Sequence, residues 1–173
     1  MADVYIIGTH HEFQKDDGSK NSLEVEKFKA FLEDVCNRKG IQIIAEEMSL
    51  EALGPLSDRG SSCKQVADKL GLSHLYCDPE SAERKQLGIQ EQKDIWMDGF
   101  FKDRSQVDFN TRIEEERVKR RNLWLKTLRD NMRDFNRFPA LFICGARHAL
   151  PFRDLLIEHK MACKVLIENW LPH

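Results

Sequence analysis

One short pattern occurs twice, near the two ends of the chain, and it restricts the fold more than any other feature. Val4-Tyr5-Ile6-Ile7 runs into Gly8-Thr9-His10-His11, and Ala140-Leu141-Phe142-Ile143-Cys144 runs into Gly145-Ala146-Arg147-His148. Each is a continuous apolar run rich in β-branched and aromatic residues, ended by a glycine with a histidine three residues beyond. A half-exposed strand alternates polar and apolar side chains, whereas an unbroken apolar run fits a strand covered on both faces, as in parallel sheets. Two histidines are therefore expected just past two strand ends, on the rim where open α/β sheets bind their ligands.

Between the two copies the chain alternates helical and extended patterns. Glu12 to Asn21 is polar and holds the turn signal Asp16-Asp17-Gly18-Ser19. From Glu24 to Arg38 the apolar residues Val25, Phe28, Phe31, Leu32 and Val35 recur at three and four, which predicts an amphipathic helix that Gly40 stops. Ile41 to Ala45 is the second strand and leads directly into Glu46-Glu47. Strand, helix and strand in this length make a βαβ unit, so the two strands should run parallel through a right-handed crossover. Leu53 to Ser62 reads as a loop entering a helix over Cys63–Leu70 that Gly71 ends. His74 to Cys77 is a third strand stopped by Asp78-Pro79, and Ser81 to Gln86 a short helix closed by Gly88.

Residues 88 to 108 carry Trp96, Met97, Phe100 and Phe101 among charges, a pattern open to either a helix laid on the core or a lid over a site. A long helix is expected from Asn110 to about Phe135, with Ile113, Leu125, Leu128, Met132 and Phe135 on one side. Stepping back along it by fours from Leu125 reaches Arg121 and then Arg117, where apolar residues would be expected. A guanidinium on a buried face needs an anionic partner, because an unpaired buried charge is costly. A helix from about Pro151, with Phe152, Leu155 and Leu156 inward, and a fifth strand over Met161 to Ile167 complete the pattern.

The 173 residues fit a single domain over 1–173 with a core of its own. Lys plus Arg number 27 and Asp plus Glu 29, a formal charge of −2, so no electrostatic footprint for nucleic acid is present. No apolar stretch approaches the roughly 20 residues that cross a bilayer, and the first residues carry no signal-peptide pattern, which points to a cytoplasmic protein with no membrane partner. Five cysteines without CxxC spacing signal neither a disulfide framework nor a thiolate zinc site, and suit a reducing compartment.

The groups that follow the strands are His10 and His11, then Glu46 and Glu47, then Asp78, then Arg147 and His148. A parallel sheet brings these ends to one edge. Imidazole and carboxylate without thiolate suit a divalent transition metal, Mn, Co, Zn or Fe, with open positions at which bound water is activated. Each residue also has a structural explanation: glycines for tight turns, a glutamate at a helix N-terminus, Arg121 paired with Glu114 or Glu115 of its own helix. The ordered combination is what favours function.

That ordered set resembles the superfamily that holds TraB/PrgY-type proteins, TIKI proteases, erythromycin esterase-like enzymes and ChaN. The matching elements are Gly8 with His11, Glu46 or Glu47, Arg121-Asn122 with Trp124 and Leu125, and Gly145 with His148, spread over residues 4 to 157. The chain differs in having His10 beside His11, a doubled glutamate, Asn122 where aspartate also occurs, and Leu125 where methionine is usual. The resemblance implies a TIKI/TraB-like α/β fold, with the two histidines and a glutamate as metal-site or catalytic residues and the arginine as an anion or transition-state binder.

These readings combine into one expectation. The fold is α/β, a doubly wound, mainly parallel five-stranded sheet flanked by helices, with strand order 3-2-1-4-5. The function is a metal-assisted hydrolase acting on an ester or amide bond of a small-molecule or peptide substrate. His10, His11, His148 and Glu46 are the candidate metal ligands. Glu46, Glu47 and Asp78 are the candidate acid–base groups, and Arg121 and Asn122 complete the catalytic set. Arg121 and Arg147, with the turns at Gly8 and Gly145, are the candidate anion binders. A non-catalytic pocket that senses an anionic metabolite or nucleotide is the alternative, since glycine turns and guanidinium groups suit phosphate equally well.

Overall fold

The computed structural model describes residues 3–15, 22–54, 58–101, 106–135 and 138–172. Five parallel strands form one sheet: β1 (Val4–Thr9), β2 (Ile43–Glu46), β3 (Ser73–Tyr76), β4 (Ala140–Gly145) and β5 (Cys163–Ile167). Every residue of β1, β2 and β4 is buried, as the unbroken apolar runs require. Helices cover both faces, giving the doubly wound α/β architecture expected from sequence.

The strand order is β3-β2-β4-β1-β5, which corrects the expected 3-2-1-4-5. The strands β1 and β4 are neighbours as anticipated, but β2 pairs with β4 and not with β1. The connection from β1 to β2 holds α1 (His11–Lys15) and α2 (Ser22–Lys39), long enough to pass over an intervening strand. The consequence is local to the site. Glu46 lies opposite Ile143 in the ladder, so the residue after β2 falls beside the second glycine turn.

The two faces separate cleanly. Helix α7 (Gln106–Phe135) and α8 (Ala149–Glu158) pack Trp124, Leu125, Leu128, Met132, Phe152 and Leu156 on one face, against Val4, Ile6, Ile43, Ala45, Ala140 and Phe142. On the opposite face, α1, α2 and α4 (Ser62–Leu70) pack Phe13, Phe28, Leu32, Val35, Cys63 and Val66 against Tyr5, Ile7, Ile44, Leu141 and Ile143. Strand alternation thus assigns odd positions of β2 to the α7 face and even positions to the α2 face. The strands β1 to β3 step one way with helices on one face, and β4 and β5 return with helices on the other. At β1 and β4 the outgoing chains leave to opposite faces, and that divergence opens a crevice between them.

Local signals explain the ends. Gly40 and Gly71 hold φ of +64° and +66°, the left-handed conformation that stops α2 and α4. Ser61 caps α4 by accepting the N–H of Lys64 at 3.0 Å. The short helices α3 (Leu50–Leu53) and α5 (Ser81–Gln86) flank β3. Within residues 88 to 108 lies a helix, α6 (Gln92–Phe101), whose Ile95 packs with Phe109 and Ile113 while Trp96 stacks on Phe109 at 4.7 Å. The turn expected at Asp16-Asp17-Gly18-Ser19 and the side chains of Phe100, Phe101 and Phe135 lie outside the described residues. Among the described residues no helix is long and apolar enough to cross a membrane.

Candidate functional site

At the carboxyl edge of the sheet, Thr9, His10, His11, Glu47, Arg117, Arg120, Gly145, Arg147 and His148 line one cavity of about 480 Å³. Its floor is the crevice between β1 and β4. Alternation decides which glutamate belongs there. Ile43 and Ala45 face α7, so Glu47 does too, and its carboxylate enters the cavity. Glu46 faces the other way, fully buried against α1 and α4.

Glu47 is the centre of the site. Its Oε2 accepts the backbone N–H of Gly145 at 2.9 Å, and its Oε1 accepts from Arg120 Nη2 at 3.1 Å. The Nε2 atoms of His148 and His11 stand 3.5 Å and 3.9 Å from the same Oε1. Burial pushes the Glu47 carboxyl up to about 7, against the opposing pull of Arg120 and the Gly145 N–H. Burial also lowers both histidines, and the arginines reinforce it. His148 falls to about 3, and His11, despite a stabilising bond from Gln14, lies below its ordinary value. Two neutral imidazoles and a carboxyl poised near neutrality therefore share one small volume.

Arg120 is the residue that sequence reasoning missed. Its Nε donates to Asp78 Oδ1 at 2.9 Å, its guanidinium lies 5.4 Å from the centre of the Trp124 ring, and Trp124 Nε1 donates to the same Asp78 oxygen at 3.0 Å. Trp124 also meets His148 edge-on, with ring centres 5.4 Å apart. Asp78 is thus a holder of Arg120 and does not line the cavity. Arg121 is buried, but its guanidinium pairs with Glu114 at 2.6 Å, the partner that a structural explanation of the residue anticipates. Asn122 is exposed and donates to Val118 O of its own helix. The signal that finds Arg120 is Trp124: positions 117, 120, 124 and 128 follow the 3-4-4 spacing of one helix face.

The other expected residues divide. His10 is exposed at the rim and meets Phe13 edge-on at 6.3 Å, while His11 points inward with 46% of its side-chain surface open to the cavity. Arg147 is exposed on the rim and makes no ion pair among the described residues. Gly145 is required by close approach, since a Cβ there would stand 3.0 Å from His11 Nε2 and 3.5 Å from Glu47 Oε2. Gly8 is required by packing, because a Cβ would meet the backbone oxygen of Glu168 at 1.9 Å.

The donor set of His11, His148 and Glu47 is right in kind for the divalent metal that the resemblance implies. Arg120 already supplies positive charge at Glu47 Oε1, so an ion bound there would share that oxygen with a guanidinium or displace it. Glu46, the glutamate expected as a ligand, faces away from the cavity. The groups as they stand fit proton transfer and anion binding. Comparison with protein-family models, with curated proteins and with solved structures finds no match to this chain.

Proposed function

We propose that the protein is a hydrolase that attacks an ester or amide bond with water activated at Glu47 and the two imidazoles. The observation that carries this reading is geometric: the buried Glu47 carboxyl faces the Nε2 atoms of His11 and His148 at 3.9 and 3.5 Å in an open cavity, and burial raises it to about 7. A general base is most effective when its pKa lies near the working pH. Separations of 3.5 and 3.9 Å are too long for well-formed direct hydrogen bonds, and a water seated beside the three atoms in the cavity can reach both the carboxylate and an imidazole. Glu47 takes the proton of the attacking water, and a neutral imidazole shares it towards the leaving group. Arg120, held by Asp78 and Trp124, and Arg117 stabilise the negative charge that develops on the carbonyl oxygen.

A panel of esters, amides and phosphoesters tests the proposal. The expected result is turnover that rises with pH through about 7 as Glu47 ionises, and that Glu47→Gln reduces by ~10²-fold or more, the usual share of a general base. Elemental analysis of the purified protein distinguishes the metal-assisted form of this chemistry. Stoichiometric Mn, Co, Zn or Fe, lost in His11→Ala and His148→Ala, would select the metal-assisted form.

The second reading is a pocket that senses an anionic metabolite or nucleotide. The presence of Arg117, Arg120 and Arg147 around one cavity favours it. Saturable binding of phosphate or a nucleotide without turnover of any substrate would select it over the hydrolase.

A further inference from the structure

We propose that Gln14 and Glu46 fix the ring tautomer of His11, so that a proton is held at Nδ1 and the lone pair of Nε2 is presented to the cavity. This makes a buried glutamate on the far side of the sheet edge a positioning residue for the site. Its functional meaning rests on the hydrolase reading, but the tautomer itself does not.

The argument follows donors and acceptors. The Glu46 carboxylate is an acceptor with three donors aimed at it: Ser61 Oγ and His74 Nε2 (2.8 Å) at Oε1, and Gln14 Nε2 (3.3 Å) at Oε2. A side-chain amide has one donor end and one acceptor end. With its NH2 group committed to Glu46, Gln14 can offer only Oε1 to His11, and the observed distance from His11 Nδ1 is 2.9 Å. An acceptor at that position requires a proton on Nδ1, which leaves Nε2 unprotonated, 3.9 Å from Glu47 Oε1. Turning the amide over would set the Gln14 carbonyl against a Glu46 oxygen. Gln14 and Glu46 are both fully buried, where two facing acceptors have no water to separate them.

The two histidines of the site differ in this respect. His148 Nδ1 is buried with no hydrogen-bond partner among the described residues, so nothing comparable selects its tautomer. The chain has therefore built one imidazole with a defined lone pair and one without. An Nε2 lone pair is what an imidazole needs to take up the proton that Glu47 draws from water, and the first glycine–histidine turn alone does not supply it. The supply comes from Gln14, three residues on, and from the even-numbered glutamate of the doubled pair.

Nitrogen-15 NMR of the full chain, read through the two-bond couplings of each ring at a pH where His11 is neutral, tests this directly. The wild-type protein should show His11 in the Nδ1–H form by about tenfold, the bias one well-formed buried hydrogen bond supplies. Gln14→Met keeps the side-chain shape and removes the acceptor, and should return His11 to a mixture in which Nε2–H leads. Glu46→Gln can donate to Gln14 Oε1 and release its NH2 group towards His11, with the same result. Gln14→Glu preserves an acceptor and should preserve the Nδ1–H form. An Nε2–H ring in the wild type, or an unchanged ring in Gln14→Met, overturns the proposal. Those two spectra decide it even if Glu46→Gln does not fold, and neither depends on finding a substrate.

Discussion

Glu47 and Gly145, 98 residues apart in sequence, are joined by a 2.9 Å hydrogen bond from the glycine N–H to Glu47 Oε2, and the same glycine leaves the room that His11 occupies. One position thus orients the carboxylate and admits the imidazole. The contact exists because β2 lies against β4, so the strand order and the composition of the site are one fact.

Gly145→Ala follows from that geometry. The backbone at Gly145, φ −58° and ψ 140°, is open to any residue, so the substitution introduces no backbone strain. The added methyl stands 3.0 Å from His11 Nε2, and the half-exposed ring can move away. Thermal unfolding should shift by only a few degrees. Any hydrolytic activity should fall by about 10²-fold, the usual cost of misplacing a catalytic group by roughly 1 Å. Full activity in a well-folded variant would remove His11 from the mechanism.

Gly8→Ala should behave in the opposite way. Its methyl would lie 1.9 Å from the backbone oxygen of Glu168, and main chain cannot step aside as a side chain can. The paired strands β1 and β5 would have to separate. Urea unfolding should show a loss of about 3 kcal/mol or more, at the upper end of overpacking costs. A loss under about 1 kcal/mol would mean that the β1–β5 edge is far more compliant than its register implies.

Much of the architecture was legible in the sequence, because strands buried on both faces and helices with a three-four stripe leave periodic marks. The glycines at 40 and 71 marked helix ends for the same reason. Strand order was not legible, since fully apolar parallel strands carry no local code for their neighbours and the α1–α2 connection can stride over β4. The doubled pairs stayed open because alternation selects Glu47 only once the face carrying α7 is known. Arg121 was reached by counting in fours, and each such step drifts by about 40° around a helix of 3.6 residues per turn. The 3-4-4 path through Trp124 leads to Arg120.

The two arginines can be told apart by titration. Arg120 touches Glu47 and Asp78 and is foremost among the charges that hold down His148, whereas Arg121 is paired with Glu114. In Arg120→Met the His148 pKa should rise from about 3, and Glu47 should move above about 7 because its main counter-charge is gone. Arg121 also acts on both groups, but from behind its pair with Glu114, so Arg121→Met should move both less. Histidine NMR titrations check this, and equal changes in the two variants would mean that Arg121 acts on the site as directly as Arg120.

Stability against pH provides the remaining prediction, because His148 and Glu47 pull in opposite directions. His148 is lowered from 6.5 to about 3, so its contribution is complete above 6.5 and is lost as pH falls towards 3. Glu47 is raised from 4.5 to about 7, so its contribution is complete below 4.5 and is lost as pH rises through 7. Between 4.5 and 6.5 the two slopes oppose each other, and the pair should show a plateau there. Single substitutions expose each slope. Stability of Glu47→Gln should climb with pH from about 3 to 6.5, and that of His148→Asn should decline from about 4.5 to 7. Each change should amount to a few kcal/mol, because moving a pKa tenfold in acidity is worth ~1.4 kcal/mol. Urea unfolding at closely spaced pH values measures both. Parallel profiles in the two variants would show that the carboxyl and the imidazole do not occupy one desolvated site, and the proposed acid–base chemistry would lose its basis.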